Sequence, residues 1–431
     1  NSEVRILDID PKAGDLITRL LRKMAATSHS SMRIEFTSDQ KAALKGADFV
    51  ITTISTGGEH CFENDMKIPE KYGIFQTVAD SVGPGGWSRS IRGAPVFLNL
   101  ANDLNRIAPD AMLINYTNPM GSLTSILAQT CRCPSVGLCH GLFEVYSLLQ
   151  HIFEAKSESE IVVKIAGLNH FFWLLDFTVR GESGYPLLRR LIKKAGSLPN
   201  LVDDGYRYDI RPTSRDYGRM VKKSLGPSNE YYLADELFQR FGLLPYTGDR
   251  HTSEFLSNYL TPTPEKLERF RLRRTPISQR HEDRKILEGK IKEMVSGKRP
   301  LPSERTREAT ADIISARISG RHIIDVVNLP NIGQVDNLPR GAVVETLGVI
   351  GATGFAPITA GALPEQIADI IRPHARNQMM VVEASIKGDR SMAMEALLNE
   401  PLCSHLSVKE IRKMGDELLL ATAKAGVELP F

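Results

Sequence analysis

The residues through which this 431-residue chain could do chemistry are two loop carboxylates and two strand ends carrying sulfur or imidazole. Cys139-His140 closes the apolar run 136–138, and Gly167-Leu168-Asn169-His170 ends a second strand-like run. A thiolate and an imidazole brought together over two strand ends would make an open metal site, with substrate oxygens and water completing the shell. Taken singly, a Cys acting as a small hydrophobe and a core His with a backbone partner are the commoner arrangement. Asp80 stands ahead of Gly83-Pro84-Gly85-Gly86, Arg89 and Arg92, and Asp249 lies within Pro245-Tyr246-Thr247-Gly248-Asp249-Arg250-His251. Two such carboxylates can divide acid and base work. Isolated, each would cap a helix or close a turn. Asn118 precedes Pro119, which biases it away from helical backbone and can leave its amide free at a sheet end.

The elements that must position these groups follow from periodicity. Apolar, β-branched runs at 4–9, 32–36, 49–54, 111–117 and 135–139 alternate with helical spacing after Pro11 and at 39–45, 121–130 and 142–153. Strands alternating with helices predict an α/β fold, a Rossmann-like doubly wound parallel sheet whose ligands bind beyond the carboxyl ends of the strands. Arg5-Ile6-Leu7-Asp8 reads as the second strand of a dinucleotide-binding unit, with Asp8 accepting the adenosine ribose hydroxyls. The equal alternative is that Asp8 begins a turn. The glycine-rich turn belongs about 20 residues upstream of such an acid, so the expected domain, residues 1–160, lacks its first strand and Gly-rich turn. Beyond 160 an apolar segment, 161–179, leads into helical, charge-rich sequence to 295 and a Gly/Pro-rich stretch at 329–363. Residues 161–431 are expected to form a second, mixed α+β domain that binds substrate.

Composition narrows the classes. Hydrophobic residues make up 42% and charged residues 24%, which excludes disordered, collagen-like and coiled-coil chains. A net charge of +3 gives no reason to expect nucleic acid. Residues 265–299 hold twelve Lys+Arg against six Asp+Glu, read as a solvated helical face, with oligomer contacts or steering of an anionic substrate as the functional alternative. Five sparse cysteines predict no disulfide framework and a reducing compartment. No signal-peptide pattern opens the sequence, and the longest uncharged run, 111–131, is too polar for a bilayer, so a cytoplasmic location without membrane contact is expected.

Several of these segments together carry a resemblance. Gly73-Ile74-Phe75-Gln76, Ala79-Asp80-Ser81-Val82-Gly83-Pro84-Gly85-Gly86, Asn115-Tyr116-Thr117-Asn118-Pro119-Met120 and Gly137-Leu138-Cys139-His140 come first. Gly167-Leu168-Asn169-His170-Phe171, Gly248-Asp249-Arg250-His251 and Asn328-Leu329-Pro330-Asn331-Ile332-Gly333-Gln334-Val335 follow. In this order, over nearly the whole chain, they resemble glycoside hydrolase family 4, the NAD- and manganese-dependent glycosidases, and are most similar to its α-galacturonidase branch.

The resemblance implies a redox route that departs from two-carboxylate hydrolysis: oxidation at C3 of the sugar, loss of the C2 proton, departure of the aglycone, addition of water and re-reduction. It implies Cys139 and His170 as ligands of Mn2+ or another divalent cation. Asn118 is placed at the nicotinamide and a sugar hydroxyl, Asn169 at substrate, and Asp8 and Ser55 at NAD. Asp249 takes the C2 proton, with Tyr246 in reserve. Asp80 acts as the acid toward the aglycone, with His140 competing, and Arg89, Arg250 and His251 face the C6 carboxylate of a uronide. A homodimer or homotetramer and a fold related to lactate and malate dehydrogenases are implied as well. The alternatives are a family 4 α-glucosidase, α-galactosidase or α-glucuronidase, an NAD-dependent hydroxyacid or sugar dehydrogenase, and a non-catalytic sensing protein.

Overall fold

The computed structural model describes residues 2–202, 231–274, 276–303 and 305–431. Part of the expected charge-rich helical stretch, 203–230, lies outside them. The N-terminal part alternates strand and helix as its periodicity demands: β1 (Glu3–Leu7), α1 (Pro11–Thr27), β2 (Arg33–Thr37), α2 (Gln40–Leu44) and β3 (Phe49–Thr52). Then come α3 (Gly58–Glu70), α4 (Gly83–Ile107), β4 (Met112–Asn115), α5 (Met120–Thr130), β5 (Ser135–Gly137) and α6 (Gly141–Phe153). Asp10 starts α1 by accepting from the Lys12 and Ala13 amides, and Asp39 starts α2 by accepting from Lys41, each satisfying N–H groups that a helix start leaves open. Strands β3, β4 and β5 pair in parallel, whereas β1 and β2 form a separate parallel pair. The doubly wound α/β architecture expected from the sequence is present. Strands β1, β3, β4 and β5 end before their apolar runs do, whereas β2 continues to Thr37.

The apolar segment 161–179 is an antiparallel hairpin, β6 (Ile161–Leu168) and β7 (Phe171–Val179), turned by Asn169 and His170, and β7 also pairs with the short strands β8 (Glu182–Ser183) and β9 (Leu244–Pro245). Both faces are covered, so alternate residues serve two cores: Ala166, Leu168, Phe171 and Trp173 enter one, while Val163, Ile165, Phe172 and Leu174 enter the other. Later strands join the halves. β10 (Ile323–Pro330) pairs antiparallel with β5 through Asn328 and Gly137, and β11 (Val343–Gly351) pairs with β10 and with β6. One sheet therefore runs across the expected division at residue 160. The Gly/Pro-rich stretch at 329–363 contributes β11 and the short β12 (Gly354–Pro357) to it.

Helix α4 links the site to the interior. Its N-terminal half sends Trp87 and Ile91 into the first core, and its C-terminal half sends Ala94, Phe97, Leu100 and Leu104 into another. The four-residue segment Gly83-Pro84-Gly85-Gly86 is the first turn of this helix. Proline is tolerated there because its missing N–H is not needed. The helix Ile277–Ser296 within the basic stretch buries none of its residues, as a solvated face should. Near its C-terminal end it is tied to α1 by Lys23, whose Nζ donates to the Met294 carbonyl at 2.8 Å. No described helix is long and apolar enough to cross a membrane.

Candidate active site

Asp80 is the hub. Its Oδ1 accepts from Ser81 Oγ at 2.8 Å and lies 3.5 Å from His251 Nδ1 and 3.8 Å from His170 Nδ1, while its Oδ2 accepts from Asn118 Nδ2 at 3.3 Å. Four segments distant in sequence meet here: the loop before α4, the end of β4, the β6–β7 turn and the Asp249–Thr252 turn. The β6–β7 turn holds His170 in the left-handed region at φ 64°, and the loop holds Ala79 at φ 56°. For a non-glycine residue that conformation costs about 1–2 kcal/mol, and such strain gathers at functional sites. Glycine lets the loop sit flush on α4. A Cβ on Gly86 would stand 2.5 Å from the Ser81 carbonyl carbon, and one on Gly85 2.6 Å from the Ala79 Cβ.

The electrostatics of the cluster are strongly asymmetric. Burial alone would raise Asp80, but His251, His170 and Arg89 hold its carboxyl far below the usual carboxylate range. Burial pushes His170 down to about 3, and the neighbouring His251 adds to the effect. For His251 burial is outweighed by Asp80, so its imidazolium persists above the ordinary histidine range. A carboxyl held this low is ionised beside His251. The proton of this pair resides on His251. Ser81 Oγ also meets His170 Nδ1 at 2.8 Å. With Ser81 donating to Asp80, His170 donates its Nδ1 proton to Ser81, and its Nε2 lone pair is left for a ligand.

Asp80, His170 and His251 bring their ligand atoms within 4.8 Å of one another, a carboxylate and two imidazoles of the kind that hold divalent cations. Cys139 is not in this three-residue group; it lies on the adjoining wall, with Asn169 hydrogen-bonded toward its sulfur. Burial and then Glu345 raise the Cys139 thiol. Glu345 sits mid-strand in β11, fully buried, accepting from Asn169 Nδ2 at 2.9 Å and Asn328 Nδ2 at 2.8 Å. Burial lifts it to about 7 despite both bonds. Negative potential here disfavours a bare thiolate and attracts a cation beside it, so these residues fit a metal. Asn118 Oδ1 and Asn169 Oδ1 are buried without a hydrogen-bond partner, as acceptors awaiting a ligand would be.

Other expected residues are placed differently. Asp249 is buried, and its two carboxylate oxygens accept from the Leu233 and Ala234 amides at 3.1 Å, capping the helix Tyr232–Phe241 from outside. The start of that helix draws the anion inward, so Asp249 does not stand free over a sugar as a base would. Tyr246 faces His170 with ring centroids 6.0 Å apart, and burial lifts its hydroxyl well above its usual range. His140 Nε2 pairs with Glu308 Oε1 at 2.5 Å. Asp8 follows β1 and accepts from the Asp10 amide at 2.8 Å, while Asp10 caps α1. Ser55 is exposed after β3, beside Gly57 and Gly58 at positive φ.

Arg89 and Arg280 both lie over the Phe62 ring, at 5.4 and 4.2 Å from its centroid. Arg250 donates from Nη2 to the Thr77 carbonyl at 3.1 Å. Burial and the neighbouring Arg280 bring Arg250 down to about 10. Ser81, Glu254, Arg280 and Glu345 escaped the reading of the sequence. Glu345 alone left a signal there, a carboxylate inside an otherwise apolar β-branched run.

Residues 1–155 match the model of family 4 glycosyl hydrolase, and residues 165–403 match the family 4 glycosyl hydrolase C-terminal domain. An alpha-galacturonidase of Bacillus subtilis (strain 168) is 33% identical over 86% of this chain and 80% of its own length. An alpha-galactosidase of the same strain is 31% identical over 97% and 91%. A crystal structure of a Bacillus subtilis protein described as a glucosidase superposes with a TM-score of 0.83 at 30% identity, covering 96% of this chain and 92% of that one. A 6-phospho-alpha-glucosidase from gut microorganisms, solved with NAD and Mn2+, has the same fold, with a TM-score of 0.78 at 18% identity over 99% of this chain and 93% of that one. The chain belongs to family 4 of the glycosyl hydrolases.

Proposed function

We propose that this chain hydrolyses α-galacturonides by the NAD- and metal-dependent route, and the observation that carries the reading is the cluster of Asp80, His251, His170 and Asn118. When bound, NAD would take hydride from C3 and return it, while a divalent cation would polarise the C2 and C3 oxygens. Cys139 and His170 would hold the cation, because Asp80 and His251 already neutralise each other, whereas Cys139 faces carboxylates. Asn118 orients a sugar hydroxyl with its buried Oδ1, and Asn169 does the same beside Cys139. His251, kept protonated by Asp80, hands its proton to the departing aglycone oxygen; His140, paired with Glu308, is the more exposed candidate. The C2 proton falls to Asp249 once it swings from its helix cap, or to Tyr246 beside His170. Asp8 and Ser55, at the carboxyl ends of two parallel strands, would contact NAD.

The uronide rests on charge. Arg89 and Arg250, joined by Arg280, collect like charges that a C6 carboxylate would relieve through bidentate bonds. A homodimer or homotetramer acting in the cytoplasm belongs to the same reading, and light scattering checks the assembly. Turnover of an aryl α-galacturonide in D2O with NAD+, Mn2+ and a thiol reductant tests the chemistry: product carrying deuterium at C2 is expected, and full activity without exchange sinks the elimination route. Stoichiometric NADH accumulation would instead make the protein a dehydrogenase.

A further inference from the structure

The backbone that presents Asp80 is held by a buried carboxylate from a distant segment. Ala79, immediately before Asp80, adopts φ 56° and is fully buried. The amides on either side of the Thr77–Val78–Ala79 bend converge on one atom: Val78 N and Ala79 N donate to Glu254 Oε1 at 2.7 and 2.8 Å, with Thr77 Oγ1 at 3.3 Å. Glu254 itself is 0% exposed. Its position in the chain matters as much as its contacts. The short turn Ser253–Phe255 follows directly on Asp249–Thr252, the turn that brings His251 to Asp80. The continuous stretch 249–255 thus delivers both the imidazole facing Asp80 and the carboxylate gripping the backbone behind it.

We propose that Glu254 is a positioning residue, locking Ala79 in the left-handed region so that Asp80 stays aimed at His251, His170 and Asn118. Two amides pointing at one carboxylate oxygen form an anion cradle that a neutral or absent side chain fills less well. Without it, Ala79 would relax toward an ordinary φ and carry the Asp80 carboxylate away, and a misplacement of about 1 Å can cost about a hundredfold in rate. The inference rests on the catalytic reading of Asp80.

The test compares Glu254→Ala, Glu254→Gln, Asp80→Ala and the Asp80→Ala/Glu254→Ala double variant on an aryl α-galacturonide, with melting curves for each. Glu254→Ala should lower kcat about a hundredfold with KM changed less than about threefold. Glu254→Gln, which keeps an acceptor oxygen for both amides, should recover at least about tenfold of that loss. The double variant should be no slower than Asp80→Ala, because residues acting as one unit are not additive. Fully additive losses, or equal loss in the Gln and Ala variants at equal stability, overturn the proposal. A crystal structure of Glu254→Ala decides separately: Ala79 must leave the left-handed region and Asp80 must move from His251. If Asp80→Ala turns over at the native rate, the reading of Asp80 fails, while that crystal structure still judges Glu254.

Discussion

Single residues here do work that their neighbours define. Asp80 and Asp249 are both loop aspartates ahead of basic residues, yet one is an ionised hub between two imidazoles and the other is drawn onto a helix start. The difference arises from which amides and imidazoles lie within 4 Å, something no one-dimensional spacing reports. Cys139 gives the sharpest test at this scale. Cys139→Ser should weaken Mn2+ binding and cut metal-dependent turnover by at least about a hundredfold, since outer-shell changes alone cost 10–100-fold. NAD affinity should stay within about threefold, the fall-off expected of a residue remote from that contact. Titration calorimetry with the metal and with NAD separates the two effects, and unchanged turnover would remove Cys139 from the ligand set.

Elements matter through close approach and through buried charge. The loop before α4 packs on the first turn of that helix with no room for a side chain, so Gly86→Ala, whose Cβ would meet the Ser81 carbonyl carbon at 2.5 Å, should destabilise the fold by about 1–3 kcal/mol and displace Asp80. Urea melts and kcat measured on the same sample should fall together; a native melt with native kcat would show that the loop has slack.

Behind the loop, Glu400 is buried and bonded to Asn377 Nδ2 at 2.8 Å, and burial lifts its carboxyl to about 7. Its folded pKa exceeds the unfolded one, so the folded state binds the extra proton and stability falls as pH rises from about 4.3 toward 7, after which the loss is complete. Glu400→Gln removes that dependence. The variant should gain on the native chain between pH 5 and 8 by up to about 3 kcal/mol, read from denaturant melts at both pH values, and an identical difference at the two would refute the linkage.

At the scale of the whole molecule, the basic stretch reaches the loop that carries Asp80. The helix Ile277–Ser296 is solvated along its length, but its first turn packs Ile277 against Phe62, Met66 and Ala79 and lays Arg280 over Phe62. A distant segment thereby reaches the neighbourhood of Asp80. Arg280→Gln should reduce kcat/KM for an α-galacturonide by about 10–100-fold, the worth of a charged hydrogen bond, and leave a neutral α-galactoside within about threefold. Parallel assays on the two aryl glycosides decide it. Equal losses on both would assign Arg280 to scaffolding, and a native enzyme preferring the neutral sugar would remove the uronide itself.

Periodicity alone determined the alternating strands and helices, the doubly wound class and the strand-end positions of Cys139 and His170, because a 2.0 or 3.6 repeat of apolar side chains is a local property that burial enforces. The family motifs, each contiguous, were legible for the same reason. Only the tertiary structure decided that Asn328 and Glu345 tie the two halves into one sheet, that Asp249 serves a helix while His251 serves Asp80, and that Glu254 and Arg280 belong beside the site at all. Apart from Asp249, whose amide partners lie 15 and 16 residues away, those roles depend on groups that arrive from distant parts of the chain, as Val78 and Glu254 do across 176 residues. Hydrogen bonds act over about 3 Å, so these contacts exist only once the chain has closed on itself.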